Sequence, residues 1–336
     1  MKKITKTLCA TALLASTLMS VGAAHALTLP PVSSCGFPDP NLANLLCVTT
    51  STGAKVYVAS QHDDYISYSV NALTQLSSYG YTEFSEWDNL PPFGSGQIVK
   101  LFSFNESNNG TLPPATGGTG DNQNPSPDGD QTPKNDTLYM GEWPFDAVVT
   151  VGDLKNFLGD GNYSPVFSFD LNNTARNLLS LNGVFEIVTD VVRDVDGKII
   201  GKTVIDTFAF DNEFNNKTYD EDSFVMAYPE VVVTWFDPGN PNCDLSGLCT
   251  MNVDNNVGSG KPDFFAYAPE LDLRNYDDSY ELYFKLRMTG LDSGGEELAL
   301  VNIINIPPTP VPEPGVLALL GIGLLGLGAG RRKLRN

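Results

Sequence analysis

Apolar and polar side chains alternate along much of the chain, which is the pattern of β-strands with one buried face. The clearest case is residues 280–288, where every second residue from Tyr280 to Met288 is Tyr, Leu, Phe or Met, and Glu281, Lys285 and Arg287 lie between them. Residues 298–306 form a second apolar run, and the segment between the two runs has the Asp-Ser-Gly-Gly composition of a turn. The pattern predicts that these two strands form an antiparallel hairpin.

A second hairpin is predicted within residues 183–210. Both of its arms are rich in β-branched and aromatic residues, and Asp196-Gly197 between them favours a tight turn. Shorter strands are predicted at residues 55–59, 65–70, 97–104, 147–151, 166–171 and 229–235. Helical patterns are few, and they cover residues 71–79, 151–158 and 173–181.

Many short strands separated by Gly, Asn, Asp and Pro predict an all-β fold. We expect an antiparallel β-sandwich of the jelly-roll-like or immunoglobulin-like type, formed by residues 27–306. A parallel α/β fold is disfavoured because no helix of sufficient length alternates with the strands. Residues 105–136 contain little that could be buried, so they predict a long disordered loop within this body, and a linker between two subdomains is the alternative. Residues 307–311 are Pro-rich and predict an extended linker.

Residues 1–26 have the three parts of a removable export leader. Lysines near the N-terminus precede an uncharged, largely apolar stretch, and Ala24 and Ala26 supply the small side chains of a leader-peptidase site. We therefore expect transport by the Sec translocon, cleavage by signal peptidase and a mature chain that begins at Leu27. A retained membrane anchor is the alternative, and the Thr, Ser and His residues within the run disfavour it.

The C-terminus combines three features. Pro312-Glu313-Pro314 comes first, residues 315–330 are all Gly, Ala, Val, Leu or Ile, and a basic end at residues 331–335 includes Arg331 and Arg332. A helix over residues 315–330 would be about 24 Å long, and flanking arginines with local bilayer thinning allow it to insert. The sequence predicts a single transmembrane helix whose basic end stays in the cytoplasm.

This arrangement resembles the PEP-CTERM sorting domain over residues 312–336, and the resemblance assigns no family to the body. It implies recognition by an exosortase, a membrane cysteine transpeptidase, with processing at or near Pro312-Glu313-Pro314. It also implies transient anchoring in the inner membrane, followed by transfer to the cell surface or the extracellular polymer. Proteins with this tail often accompany exopolysaccharide production in biofilm-forming bacteria. An ordinary C-terminal anchor is the alternative.

The body between these two segments is strongly acidic. Seven of the 20 Lys and Arg residues lie in the terminal segments, but only one of the 40 Asp and Glu residues does. The net charge of the body is therefore more negative than that of the whole chain, which is −20. Nucleic acid is therefore disfavoured as a partner, because it is bound through cationic side chains near phosphates. The acidity is typical of a soluble secreted protein, and attraction of divalent cations is the alternative interpretation.

Four cysteines lie in the body, and they form two pairs that are close in sequence. Cys35 with Cys47 and Cys243 with Cys249 would close short loops, each stabilising the fold by about 2–3 kcal/mol in an oxidising compartment. Four cysteines allow three connectivities, so other pairings remain open.

Candidate chemistry in the body is sparse. His62 is the one histidine outside the leader. It lies in a polar loop before a predicted strand and is interpreted as a surface residue, and we expect no enzyme. Calcium is the candidate cofactor, with hard oxygen ligands at Asp254, Asn256 and Asp263. Asp194 and Asp196 could also supply ligands, but a hairpin turn is the favoured interpretation there.

Aromatic residues cluster at Tyr79, Tyr81 and Trp87, in a stretch punctuated by Gly and Pro. Exposed rings could stack on sugars as a polysaccharide-binding platform, whereas buried rings would be core residues, which is the favoured interpretation. Three functions follow in order of preference. They are a structural or adhesive surface or matrix protein, a calcium-assisted carbohydrate-binding module, and a secreted hydrolase that works through carboxylates.

Overall fold

The computed structural model describes residues 27–39, 42–88, 90, 98–106, 126–127, 139–143, 148–159, 162–170, 179–195, 199–215, 217–255, 261–289 and 294–306. The predicted leader, linker and tail lie outside these residues, as does most of the predicted disordered loop. In the part of the chain that is described, no helix has the length and apolar character needed to cross a membrane.

Strands predominate in the described residues, and the helices are short. The strands are β1 (Leu27–Thr28), β2 (Ser33–Ser34), β3 (Leu45–Thr49), β4 (Lys55–His62), β5 (Tyr65–Ser69), β6 (Ile98–Glu106), β7 (Ser126–Pro127), β8 (Tyr139–Trp143), β9 (Val166–Asp170), β10 (Leu179–Arg193), β11 (Ile199–Phe210), β12 (Val225–Ala227), β13 (Glu230–Phe236), β14 (Leu248–Asp254), β15 (Phe264–Tyr267), β16 (Glu281–Thr289), β17 (Gly294–Val301) and β18 (Ile304–Asn305). The helices are α1 (Val70–Ser78), α2 (Val151–Leu158) and the 3₁₀ helices Thr82–Trp87 and Leu273–Asn275.

These strands form two large sheets and two small ones. The eight-stranded sheet has the order β2-β3-β4-β5-β15-β9-β17-β6, and the six-stranded sheet has the order β11-β10-β16-β8-β7, with β12 also paired to β10. Strands β13 and β14 form a hairpin, and β1 pairs with β18. Among the described strands every pairing is antiparallel except β1–β18, which confirms the antiparallel all-β prediction.

The two large sheets face each other across a shared apolar core. The ring of Phe284 on β16 lies 5.4 Å from that of Phe167 on β9 and 5.6 Å from that of Phe102 on β6, measured between centroids. Phe185 on β10 also contacts Phe167 at 5.8 Å. These contacts join residues of different sheets, so the aromatic cluster holds the sheets together.

The eight-stranded sheet is covered on its other face as well. Phe167 and Ala266 project into the core shared with the six-stranded sheet, whereas their neighbours Val166 and Phe265 project into a second core. That second core is completed by α1, the 3₁₀ helix Thr82–Trp87 and the β13–β14 hairpin. Because both faces are buried, β9 and β15 are short runs of mostly apolar residues and not alternating strands.

Helix α1 closes the outer edge of β14. Asn71, Gln75 and Tyr79 lie on one face of the helix and its end, and their side chains donate hydrogen bonds to alternate backbone carbonyls between Asp254 and Thr250. Four residues of a helix rise about 6 Å and two residues of a strand about 6.7 Å, so the two spacings match. These hydrogen bonds thus use the backbone carbonyls with which an added strand would pair.

The predicted hairpin of residues 280–288 and 298–306 is wrong. Strand β16 pairs with β10 and β8 in the six-stranded sheet, whereas β17 pairs with β9 and β6 in the eight-stranded sheet. Leu298 and Leu300 therefore reach the shared core from the side opposite Phe284. Alternation shows which face of a strand is buried, but it does not show which strand is its neighbour.

Two shorter predictions also differ from the structure. The strand predicted at residues 147–151 is reduced to one bridge between Thr150 and Glu281, because Thr150 begins α2 through a capping box with Asp153. The helix predicted at residues 173–181 ends in residues that belong to strand β10. At the predicted disordered loop, Asn105 and Glu106 extend β6 and residues 126–127 form β7.

Both cysteine pairs form disulfides. Cys35–Cys47 joins the segment after β2 to β3, and Cys243–Cys249 closes the loop between β13 and β14, with Cα–Cα distances of 5.0 Å and 4.5 Å. The bonds close short loops, with sequence separations of 12 and 6 residues.

Gly247→Ala is expected to lower the free energy of unfolding by about 2–4 kcal/mol. Gly247 has φ +82°, and an added Cβ would lie 2.6 Å from Pro238 Cα, so left-handed strain and a backbone overlap both act. Gly53→Ala is the matched control, because φ there is +86° and nothing lies within 4 Å of an added Cβ. Its expected loss is only the roughly 1–2 kcal/mol of left-handed strain. Equal losses for the two variants in urea unfolding would contradict the overlap at Pro238.

Candidate functional site

A cavity of about 360 Å³ opens between the two large sheets. Its walls come from β3, β4, β5, β9 and β15 of the eight-stranded sheet, from β10, β11 and β12 of the six-stranded sheet, and from the start of β13. The volume lies at the lower end of the roughly 300–1,000 Å³ typical of small-molecule sites. The cavity is therefore the first candidate for a ligand site in the described residues.

The β4–β5 hairpin brings the main polar groups to this cavity. Ser60 and Ser67 lie opposite each other in the antiparallel pairing, and His62 follows Ser60 on the same face of β4. His62 Nε2 lies 2.9 Å from Ser67 Oγ, and the Tyr57 hydroxyl lies 3.0 Å from Ser60 Oγ. A row of hydroxyl and imidazole groups thus lines one wall.

The structure corrects the interpretation of His62 as a surface residue. Only 8% of His62 is exposed, and its ring packs edge-on against Phe210 at 5.5 Å between centroids. Burial lowers the pKa of His62 to about 4, so the imidazole is neutral at pH 7. Within the described part of the chain, its Nδ1 atom has no hydrogen-bond partner. The polar sequence around His62 predicted a surface loop. In the structure β4 extends as far as His62 and directs its side chain towards the six-stranded sheet.

Aromatic side chains and amides form the remaining walls. Phe210 and Phe264 contribute ring surface, and Tyr228 is 54% exposed. Asn255 is held in place because its Oδ1 accepts a hydrogen bond from Ser69 and its Nδ2 donates to the Tyr228 carbonyl. None of the described residues that line the cavity is Asp, Glu, Lys or Arg. The site is therefore uncharged in a chain whose net charge is −20.

The burial of His62 predicts a loss of stability of about 2 kcal/mol between pH 7 and pH 5. The folded pKa is about 4 and the unfolded pKa is near 6.5, so below pH 6.5 the unfolded chain takes up a proton that the folded protein excludes. Stability is thus complete above pH 6.5 and falls as the pH drops towards 4. Urea unfolding at pH 7, 6 and 5 measures the change. The His62→Gln variant should lose about 2 kcal/mol less over this interval, and an identical loss would contradict a neutral buried His62.

The predicted glycan-binding aromatics lie together, but in the second core and not at the cavity. Tyr81 and Trp87 are 2% and 1% exposed, and Trp87 packs against Phe265 at 6.1 Å between ring centroids. Tyr79 is half-buried and packs against Trp235 at 4.9 Å. The platform requires open ring faces, which Tyr81 and Trp87 lack, because the 3₁₀ helix folds this Gly- and Pro-punctuated segment against the sheet.

Tyr81 instead takes part in a buried hydrogen-bond network. Its hydroxyl donates to Asp237 Oδ2 at 2.7 Å and accepts from Trp235 Nε1 at 2.9 Å, while Thr52 Oγ1 also donates to Asp237 Oδ2 at 2.6 Å. The hydrogen bonds from Thr52 and Tyr81 lower the pKa of Asp237. The network joins the turn after β3 to the end of β13, so its role is structural.

The candidate calcium ligands are only partly described. Asp254 ends β14 on its exposed side, Asp263 is fully buried before β15, and Asn256 lies outside the described residues. Asp194 follows β10, and Asp196 is outside the described residues. In the described ranges no three or more His, Cys, Asp or Glu residues are grouped to hold a metal ion. Calcium binding stays a prediction.

The terminal sorting residues also lie outside the described part of the chain. They are Ala24, Ala26, Pro312, Glu313, Pro314, Arg331 and Arg332. Leu27, the predicted mature N-terminus, is the first residue of β1; it is buried, and its backbone N–H donates to the Ile303 carbonyl at 2.9 Å.

Comparison with known proteins decides the interpretation of the tail. Residues 310–333 match the family model of the PEP-CTERM protein-sorting motif. The chain carries a PEP-CTERM motif. This motif indicates export, membrane-associated sorting and processing by an exosortase. No curated protein and no solved structure matches the chain.

Proposed function

We propose that this protein is an exported structural or adhesive component of the cell surface or extracellular matrix, without catalytic activity of its own. The PEP-CTERM match at residues 310–333 carries the proposal. In this role the protein associates with the exopolysaccharide of a biofilm. The two disulfides support a location in an oxidising compartment, and the acidic body supports solubility after release.

The leader and the tail act in sequence in this proposal. The Sec translocon exports the chain, signal peptidase cleaves before Leu27, and the helix at residues 315–330 anchors the body to the inner membrane. Exosortase then cuts near Pro312-Glu313-Pro314 and passes the body to the surface. The burial of Leu27 and its backbone hydrogen bond to Ile303 support a cut no further along the chain, since a later cut would remove a residue that packs in the body. The facing sheets support a sandwich body, of the jelly-roll-like or immunoglobulin-like type.

Mass spectrometry of the secreted form tests the sorting proposal. Protein isolated from a host with exosortase should begin at Leu27 and lack the tail. A triple variant with Pro312, Glu313 and Pro314 changed to Ala should keep its tail and stay in the membrane fraction, as should the unchanged protein in a host that lacks exosortase. The proposal would be overturned by a full-length chain folded in the cytosol. It would also be overturned if the tail were removed both from the triple variant and in the host that lacks exosortase.

Carbohydrate binding is the second candidate, and the uncharged cavity favours it over the aromatics first predicted. Ser60, Ser67 and Tyr228 offer hydroxyl groups and a partly open ring face, which suit a sugar. Calcium could assist through Asp254, Asn256 and Asp263 as originally predicted. Hydrolysis through paired carboxylates is less favoured, because no carboxylate is among the described residues that line the cavity. An assay for turnover of the host polymer by the purified protein tests the hydrolase directly.

A further inference from the structure

We propose that the cavity between the two large sheets binds a neutral sugar residue, with hydroxyls held by the β4–β5 hairpin and a ring face placed against aromatic side chains. The inference deepens the second candidate function, carbohydrate binding, and assigns it to a different place from Tyr79, Tyr81 and Trp87. It does not depend on the sorting pathway. Binding can therefore fail while sorting succeeds, and the reverse.

The absence of charge on the walls selects a neutral ligand. No Asp, Glu, Lys or Arg is found among the described lining residues, and His62 is neutral at pH 7 because burial lowers its pKa. A uronic acid, phosphate or sulfate would lose its hydration without meeting an opposite charge, and this is costly in a partly enclosed site. The acidic surface of the chain adds a further repulsion for anions.

The polar groups on the walls select a ligand with many hydroxyls. Each serine hydroxyl has one donor proton and two acceptor lone pairs, so Ser60 and Ser67 keep hydrogen-bonding capacity beyond their contacts with Tyr57 and His62. Asn44 is another polar residue that lines the cavity. A purely apolar ligand would displace water from these groups and leave their remaining capacity unused, whereas the hydroxyls of a sugar would use it.

The aromatic residues select a ring with an apolar face. Tyr228 is 54% exposed, and Phe224 and Phe264, which also line the cavity, are partly buried. The C–H face of a pyranose can pack on such rings while its hydroxyls point to the polar wall. A volume of about 360 Å³ has room for a ligand the size of a monosaccharide or disaccharide.

His62 has a buried ring nitrogen that is available to a ligand. Its Nε2 is bonded to Ser67, and its Nδ1 has no partner in the described part of the chain although the ring is buried. A buried polar atom without a partner is uncommon, and it has a cost in the free protein. A small shift of the ring on binding would let a ligand hydroxyl satisfy Nδ1 or replace the bond to Ser67.

Titration calorimetry on the full chain in mild detergent tests the proposal. The probes are glucose, galactose, maltose, maltohexaose and glucuronic acid at pH 7. At least one neutral sugar should bind with a Kd on the order of 1 mM, as expected for a small ligand, and glucuronic acid should bind at least about tenfold more weakly. Binding of maltohexaose would assign the site to a chain end, whereas binding of the short sugars alone would assign it to free sugars.

Two variants connect the binding to this cavity. Tyr228→Ala should weaken it at least about tenfold, and Ala227→Trp, which fills the cavity, should abolish it, with Tm showing that each variant is folded. Phe236→Ala is the matched control, because Phe236 is an aromatic residue 62% exposed and distant from the cavity walls, and its affinity should be unchanged. The proposal is overturned by no saturable binding of any neutral sugar, by glucuronic acid binding equally well, or by full affinity in both cavity variants.

Discussion

Phe284→Ala is expected to lower the free energy of unfolding by about 3–5 kcal/mol, the cost of removing a large aromatic side chain from a packed core. Phe284 is 3% exposed, and its ring contacts Phe102 and Phe167 in the opposite sheet as well as Phe185 on the adjacent strand. The truncation therefore opens a void where the two sheets meet. Urea unfolding followed by fluorescence measures the loss.

Phe236→Ala is the control for this prediction. Phe236 is 62% exposed on the outer face of the β13–β14 hairpin, so its truncation should change stability by no more than about 0.5 kcal/mol. A loss below about 1 kcal/mol for Phe284→Ala would mean that the sheets are not held together by this aromatic cluster.

Asn182→Ala is expected to lower the free energy of unfolding by about 3 kcal/mol. Asn182 is fully buried on the outer face of β10, and its Nδ2 donates to the carbonyls of Glu221 at 3.0 Å and Ser223 at 2.9 Å. Its Oδ1 accepts from the Tyr219 hydroxyl at 2.9 Å. Removal of the amide leaves these groups without their partner, at about 1–3 kcal/mol for each one that stays buried.

Two further variants distinguish the stability contributed by the hydrogen bonds that Asn182 donates from that of the hydrogen bond it accepts. Tyr219→Phe removes the hydrogen bond that Asn182 accepts, together with the contact of the hydroxyl with Arg287, but keeps the bonds that Asn182 donates, and it should cost about 1 kcal/mol. Asn182→Asp keeps the acceptor for Tyr219 but places a carboxylate against backbone carbonyls, so it should cost at least as much as Asn182→Ala. If Asn182→Asp is as stable as the unchanged protein, the amide does not hold this loop.

Residues 219–223, the loop that Asn182 contacts, lead directly into β12, and β12 forms one wall of the cavity. Asn182→Ala should therefore also weaken any ligand bound there, even though Asn182 does not line the cavity. The β10 strand has two separate roles in this arrangement. Its inner face contributes Phe185 to the shared core, and its outer face organises the approach to β12.

The sequence predicted single elements better than their assembly. Helix α2 has the predicted bounds, and β10 and β11 form the predicted hairpin, because turn residues and short-range periodicity are local signals. The separation of β16 and β17 into different sheets depends on long-range partners that alternation does not specify. The burial of both faces of β9 and β15 was likewise unpredicted, because a short apolar run alone does not reveal what covers it.

The candidate site was not predictable for the same reason. Ser67 and Tyr228 are distant in sequence, and they line one cavity only because the two sheets meet around it. For the Tyr79–Trp87 region the favoured interpretation was that the rings are core residues, and the burial of Tyr81 and Trp87 agrees with it. The tail motif, by contrast, was recognised from residues close together in sequence, and the match to residues 310–333 confirms it.

The parallel pairing of β1 with β18 has a consequence for the order of events during export. Leu27 lies beside Ile304, so the first and last residues of the body lie close together. Because the pairing is parallel, the residues before β1 and those after β18 leave the pair from opposite ends. In the proposed export pathway the pairing cannot form until residues 304–305 have crossed the membrane, so it has to wait until nearly the whole body has been exported.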